Sequence, residues 1–183
     1  MTTPRRVLCL CGSLRRVSSN RAALEAMRQW APASLELVPY GGLAALPLFN
    51  PDDERDPLPA PVLALRAVVG RADALLIACP EYAHGVPGAF KNLLDWLVGS
   101  LEFPGKPVLL LNTSARGSCH AQDALAEILR TMSAELLTPQ PVPVALPGAG
   151  CTVEQVLDSG ERRAELDAAL TTLTGAWGVP DCP

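Results

Sequence analysis

Residues 6–20 read RVLCLCGSLRRVSSN, and their order decides the fold. Val7 to Cys11 is an unbroken apolar run of strand length, Gly12 ends it, and an amphipathic helical pattern opens after Asn20. A buried strand that turns through Gly and Ser into a helix is the first half of a βαβ unit. The turn is also suited to hold an anion, because a helix N-terminus carries unpaired backbone N–H groups and the positive end of the dipole. Ser13, Ser18, Ser19 and Asn20 add short polar side chains, and Arg15 adds a permanent charge. With one glycine and no Gly-Lys-Ser/Thr, the stretch is neither a dinucleotide fingerprint nor a Walker loop. A single phosphomonoester fits it better than a diphosphate.

Outward from this turn, apolar runs alternate with helical patterns. Strands are expected at Leu35–Val38, Ala74–Cys79, Val108–Asn112 and Gln140–Val144, the last an edge strand because Pro139, Pro141 and Pro143 interrupt its donors. Helices are expected after Asn20 (Leu24, Met27 and Ala31 inward), over Val62–Ala72, from Val86–Gly88 with Phe90, Leu93, Leu94 and Leu97 buried, through Leu125–Met132, and from Val153 to Thr174. Right-handed crossovers then give a three-layer, doubly wound α/β fold with a five-stranded parallel sheet in the order 2-1-3-4-5. Its ligand loops lie at the carboxyl ends of the strands. Between Pro39 and Pro61 lies a proline- and aspartate-rich connection too long for a simple turn, expected at a site or an interface. Residues 1–183 are read as one domain with a loose tail at 175–183.

The bulk composition narrows the function. The chain of 183 residues is 49% hydrophobic and 19% charged, as expected of a globular domain with a sizeable core. A net charge of −4 disfavours a nucleic-acid partner or a membrane surface. No apolar run has the length of a membrane span and none follows Arg6 long enough to be a signal peptide, so a soluble cytoplasmic protein is expected. Of the six cysteines, Cys9, Cys11 and Cys79 lie in apolar strands, and no C-x-x-C pair occurs. Reduced cysteines and no metal are the reading. Only two histidines, His84 and His120, are present, and no carboxylate pair or nucleophile–base arrangement emerges. The chemistry should therefore belong to a cofactor, with the protein supplying grip and orientation.

A second loop, Pro80–Leu97 (PEYAHGVPGAFKNLLDWL), follows the third apolar run, and a third, Asn112–Ala121 (NTSARGSCHA), follows the fourth. Together with GSLRRVSSN, the P-E-Y…P-G…K-N spacing resembles the signature loops of the NADPH-dependent FMN reductase family, over roughly residues 5–145. That resemblance implies a flavodoxin-like fold, FMN as cofactor, and NADPH (or NADH) as hydride donor. It further implies a small-molecule acceptor such as free flavin, a quinone, an azo compound or a metal oxyanion, and a homodimer or homotetramer. It assigns Ser13, Arg15, Ser18, Ser19 and Asn20 to the FMN phosphate. Pro80, Glu81, Tyr82, Ala83, His84 and Gly85 would wrap the isoalloxazine, with Glu81 read as bonding nearby backbone and Lys91 and Asn92 as bracing this loop. Ser114, Arg116 and Gly117 would close the other side, Arg116 either reaching the NADPH phosphates or facing water. One departure stands out: many relatives carry Asn where this chain has Ala83. His84 is the next polar group able to replace that contact or shape the substrate pocket. A flavodoxin-like electron carrier, or a flavin-binding scaffold without NAD(P)H turnover, is the alternative.

Overall fold

The computed structural model describes residues 3–148 and 150–177. A central sheet is built from β1 (Arg5–Cys11), β2 (Leu35–Pro39), β3 (Ala74–Ala78), β4 (Pro107–Ser114), β5 (Glu135–Leu136) and β6 (Val142–Leu146). Every pairing is parallel, and the order is β2-β1-β3-β4-β5, with β6 also on β4. The expected order is therefore observed, but the fifth position is filled by two short segments in succession. β5 pairs with Pro107 and Val108, and β6 with Leu111 to Ser114. The prolines at 139, 141 and 143 account for this: each lacks an N–H, and the strand leaves the ladder between the two pieces.

The helices are α1 (Ser19–Trp30), α2 (Ala60–Gly70), α3 (Gly88–Val98), α4 (Cys119–Thr131), α5 (Val153–Leu157) and α6 (Gly160–Gly175). Alternation along the strands sorts the core into two layers. Val7, Cys9, Leu76, Ala78, Leu109 and Leu111 face α1, α5 and α6. Leu8, Leu10, Leu75, Ile77, Val108 and Leu110 face α2, α3 and α4. Burial on both sides explains why the inner strands read as continuous apolar runs. On α1 the inward positions are small, with Ala22, Ala23 and Ala26 beside Leu24 and Met27. On α3 they are Phe90, Leu93, Leu94, Trp96 and Leu97.

The single helix expected over Val153–Thr174 is instead two. Thr152 forms a reciprocal capping box with Gln155, and Ser159 accepts a hydrogen bond from Arg162 N at 3.4 Å to start a second helix. A serine followed by Gly160 makes restarting the helix easier than continuing it. The C-terminal helix reaches Gly175, so the expected loose tail is helical at its first residue; residues 178–183, Cys182 among them, lie outside the described residues.

The Pro39–Pro61 connection folds onto α3. Phe49 N donates to Asn92 Oδ1 at 2.7 Å, Asn92 Nδ2 donates to Pro47 O at 2.9 Å, and Trp96 Nε1 donates to the same carbonyl at 2.8 Å. Asn92 therefore braces this segment rather than the loop preceding its own helix, while Lys91 pairs with Asp95 at 2.5 Å. Glu54 and Arg66 close the arrangement with a 2.6 Å ion pair beside the Trp96 carbonyl.

Candidate active site: a cleft at the strand ends

The turns after β1, β3 and β4, with the end of β6, enclose a cleft of about 470 Å³. This is the edge where a doubly wound sheet offers loops to a ligand, and the volume suits a small-molecule site. Of the residues expected there, Ser13, Arg15, Ser18, Ser19, Asn20, Pro80, Glu81, Tyr82, Ser114 and Arg116 line it. Sequence reading missed Cys79, Thr113, Ser118, Leu146 and Gly148. The Pro147-Gly148 pair after β6 was the available signal for Gly148, but nothing local says which loop a turn will face.

The first turn is laid out as an anion cradle. Ser13, Ser18, Ser19 and Asn20 are buried, whereas Arg15 is exposed at the lip. α1 has no acidic residue in its first turn, and Ser18 makes no side-chain cap bond, so the helix's leading N–H groups are not consumed by the chain. Ser13 Oγ accepts from Arg15 N at 3.3 Å, which curls the turn around that hydroxyl. Arg15 and Arg116 give the cleft two positive charges, and the carboxylate of Glu81 is turned onto the N-terminus of α4, where Ala121 N donates to it at 2.9 Å. These donors and charges fit a phosphate monoester.

Two residues of the turn are committed elsewhere. Ser19 Oγ donates to Gly148 O and accepts from Cys151 N at 3.3 Å, tying α1 to the turn after β6. Asn20 Oδ1 accepts from Thr113 Oγ1 at 2.9 Å, tying α1 to β4. Both frame the cradle, and Ser13, Ser18, Arg15 and the backbone N–H groups remain to hold an anion.

Ala83, His84, Gly85 and Gly117 do not line the cleft. The first three form a tight turn closed by Tyr82 N to Gly85 O at 3.1 Å and Gly85 N to Tyr82 O at 3.0 Å. Gly117, at φ +94, and Ser118, at φ +44, shape the third turn, which Asn112 Nδ2 secures by donating to Gly117 O. These residues support the wall. Tyr82, 50% exposed, stands at the lip rather than in the core.

Among the described residues the cysteines are free, and no group of three His, Cys, Asp or Glu could hold a metal ion. Burial pushes the Cys79 thiol up to about 12, with nearby Cys11 adding to the effect, so this cleft residue is a neutral thiol and no nucleophile. Burial likewise raises Cys9 to about 12. The cleft has binding groups in abundance but no catalytic acid, base or nucleophile set, which is the make-up of a cofactor site.

A parallel sheet in the order β2-β1-β3-β4-β5, with three turns around one cleft at its carboxyl edge, defines the flavodoxin-like α/β class of protein. The model of the NADPH-dependent FMN reductase family matches residues 5–146, and the chain belongs to that family of oxidoreductases. It is 35% identical over 142 residues to the quinone reductase of Escherichia coli (strain K12), covering 75% of this chain and 76% of that one. It is 37% identical over 127 residues to a 2-hydroxy-1,4-benzoquinone reductase of Burkholderia sp, covering 66% and 67%. Among solved structures it resembles FerB, a flavoenzyme NAD(P)H:(acceptor) oxidoreductase from Paracoccus denitrificans, with a TM-score of 0.73, 26% identity and coverage of 93% and 97%.

Proposed function

We propose that the chain is an NAD(P)H-dependent quinone reductase of this family, with FMN held in the cleft. The observation that carries the reading is the cradle itself, in which buried Ser13 and Ser18, the open N-terminus of α1 and exposed Arg15 converge where a flavin phosphate would enter. Bound there, FMN would supply the chemistry of hydride transfer between a nicotinamide and an acceptor. The residues bind and orient. Ser13, Ser18 and Arg15 would hold the phosphate, and Pro80 and Tyr82, which line the same cleft, would bear on the ring system. Glu81 keeps the second turn against α4, and Arg116 places a charge within reach of an anionic reactant.

No general acid is required of the chain for hydride transfer, in keeping with a cleft whose one carboxylate is already bonded to Ala121 N. The half-exposed Tyr82 leaves the lip open, as suits a site that admits reductant and acceptor in turn. NADPH as the preferred donor, a cytoplasmic setting and a homodimer or homotetramer belong to the same proposal. Supporting an oligomer, Leu48, Leu63, Val98 and Leu101 are exposed on or beside the α2–α3 side of the sheet. In keeping with a reducing compartment, Cys9, Cys11, Cys79, Cys119 and Cys151 form no disulfide among the described residues. No helix among the described residues is long and apolar enough to cross a membrane.

The test is a visible spectrum of the protein incubated with FMN, desalted, then given NADPH or NADH without oxygen, then a benzoquinone. Flavin bands that co-elute, bleach with the nicotinamide and return with the quinone are expected. Bands that co-elute and never bleach would turn the reading to an electron carrier, and absence of bound flavin would turn it to a scaffold.

A further inference from the structure

The turn Tyr82-Ala83-His84-Gly85 is built against its own residues. Ala83 has φ +49 and His84 φ +57, two consecutive left-handed residues between a reciprocally hydrogen-bonded pair. That is the geometry of a two-residue hairpin turn, which prefers Asn and Gly at these positions because other side chains are disfavoured at positive φ. His tolerates a left-handed conformation better than most residues, but Ala83 does nothing to relieve the cost, so something outside the turn must help to hold it.

The holder is the first turn of α4. The His84 ring stacks on His120 with centroids 4.4 Å apart and planes 27° from parallel. Ala121 N donates to Glu81 Oε2 at 2.9 Å, and Gln122 Nε2 donates to Cys79 O at 3.3 Å. Three successive residues of one helix thus grip the second loop at three points, 84, 81 and 79. The helix is itself seated in the core through Ala121, Leu125 and Leu129, and Gln122 is buried. Of the three grips, only the histidine stack reaches the strained pair.

We propose that His120 is a positioning residue of the flavin site: stacked on His84, it holds the second loop in its left-handed turn and so sets the backbone that meets the flavin ring. This rests on the FMN reading above. Because this loop reaches the cleft through Pro80, Glu81 and Tyr82 and supplies no residue assigned to the phosphate, loss of the stack must weaken FMN and riboflavin equally.

The experiment compares His120→Ala, His120→Phe, Ala83→Asn and His120→Ala combined with Ala83→Asn, reading FMN and riboflavin affinity and the midpoint potential of bound FMN. His120→Ala is expected to weaken both flavins by the same factor, about three- to tenfold, and to shift the potential, since the polar groups facing the ring move. His120→Phe keeps a stacking ring and should restore both. Ala83→Asn should recover affinity more in the His120→Ala protein than in wild type, because Asn tolerates positive φ and lowers the cost of closing the turn. Unchanged flavin affinity and potential in His120→Ala, or failure of His120→Phe to restore them, overturns the proposal. Should wild type bind no flavin, the FMN reading fails separately. The clamp is then judged by melting of the flavin-free proteins, where Ala83→Asn must stabilise wild type more than the His120→Ala protein. Equal increments overturn it.

Discussion

A Cβ placed on Gly12 would sit 2.6 Å from Cys79 Sγ and 3.1 Å from Cys79 Cα. The first and second loops thus leave adjacent strands, β1 and β3, with no room between their roots for a side chain. Gly12 is needed here for close approach. Gly12→Val is expected to push the two loops apart and abolish measurable FMN binding, with the sheet still folded by circular dichroism. Gly12→Ala should bind more weakly, and Cys79→Ala should restore part of that loss by removing the nearest atom. A Gly12→Val protein with full FMN affinity would show that the cleft does not depend on this contact.

Arg15 is the exposed charge of the cradle, and only FMN has the phosphate for it to meet. A charge-assisted hydrogen bond contributes about 1.5–3 kcal/mol, so Arg15→Ala should weaken FMN by roughly ten- to a hundredfold. Riboflavin affinity should hardly change. Titration of both flavins by fluorescence quenching measures this, and equal losses would remove Arg15 from the phosphate.

Thr113 and Asn20 form a buried hydroxyl-to-amide bond between β4 and α1. Thr113→Val keeps the shape and strands the Asn20 carbonyl, at a cost of about 1–3 kcal/mol. For a chain of this size that is a fall in Tm of roughly 2–10 °C. Adding Asn20→Leu to Thr113→Val should recover part of the loss, since neither partner is then left unpaired. Thermal melts of the single and double variants decide it.

Glu165, on α6, has a buried carboxylate oxygen without a hydrogen-bond partner among the described residues. Burial raises its pKa above the ordinary carboxylate value, Glu161 adds to the rise, and the Ala145 backbone and Arg162 offset part of it. The folded state therefore binds this proton more tightly than the unfolded chain does. That contribution to stability is present at low pH and is lost as pH rises from the ordinary carboxylate range through the raised folded value. Glu165→Gln, which resembles the protonated form, should raise Tm by on the order of a few degrees at pH 7, with the gain shrinking toward pH 4. A gain independent of pH would mean that Glu165 does not titrate in this way.

Most of the fold was legible because its signals are local. Val7–Cys11 and Ala74–Ala78 are buried on both faces and therefore apolar throughout, and Gly12 and Pro87 mark where a strand ends and a helix begins. The split edge strand and the two-part C-terminal helix were harder to read. Pairing of Glu135–Leu136 depends on where β4 begins, and the Thr152 and Ser159 caps compete with a helical pattern that runs across both.

The sequence by itself determined the class of site. One glycine, an arginine and clustered serines at a strand-to-helix turn bring backbone N–H groups and short donors together as a consequence of chain geometry, and these are the groups that the proposed single phosphate requires. The tertiary structure alone decided what each group is free to do. It committed Ser19 to the turn after β6 and Asn20 to Thr113, brought Leu146 and Gly148 to the cleft wall, and set His120 against His84. Those pairings arise where separate βα units pack on one sheet edge, and no local spacing encodes which side chain will find another across it.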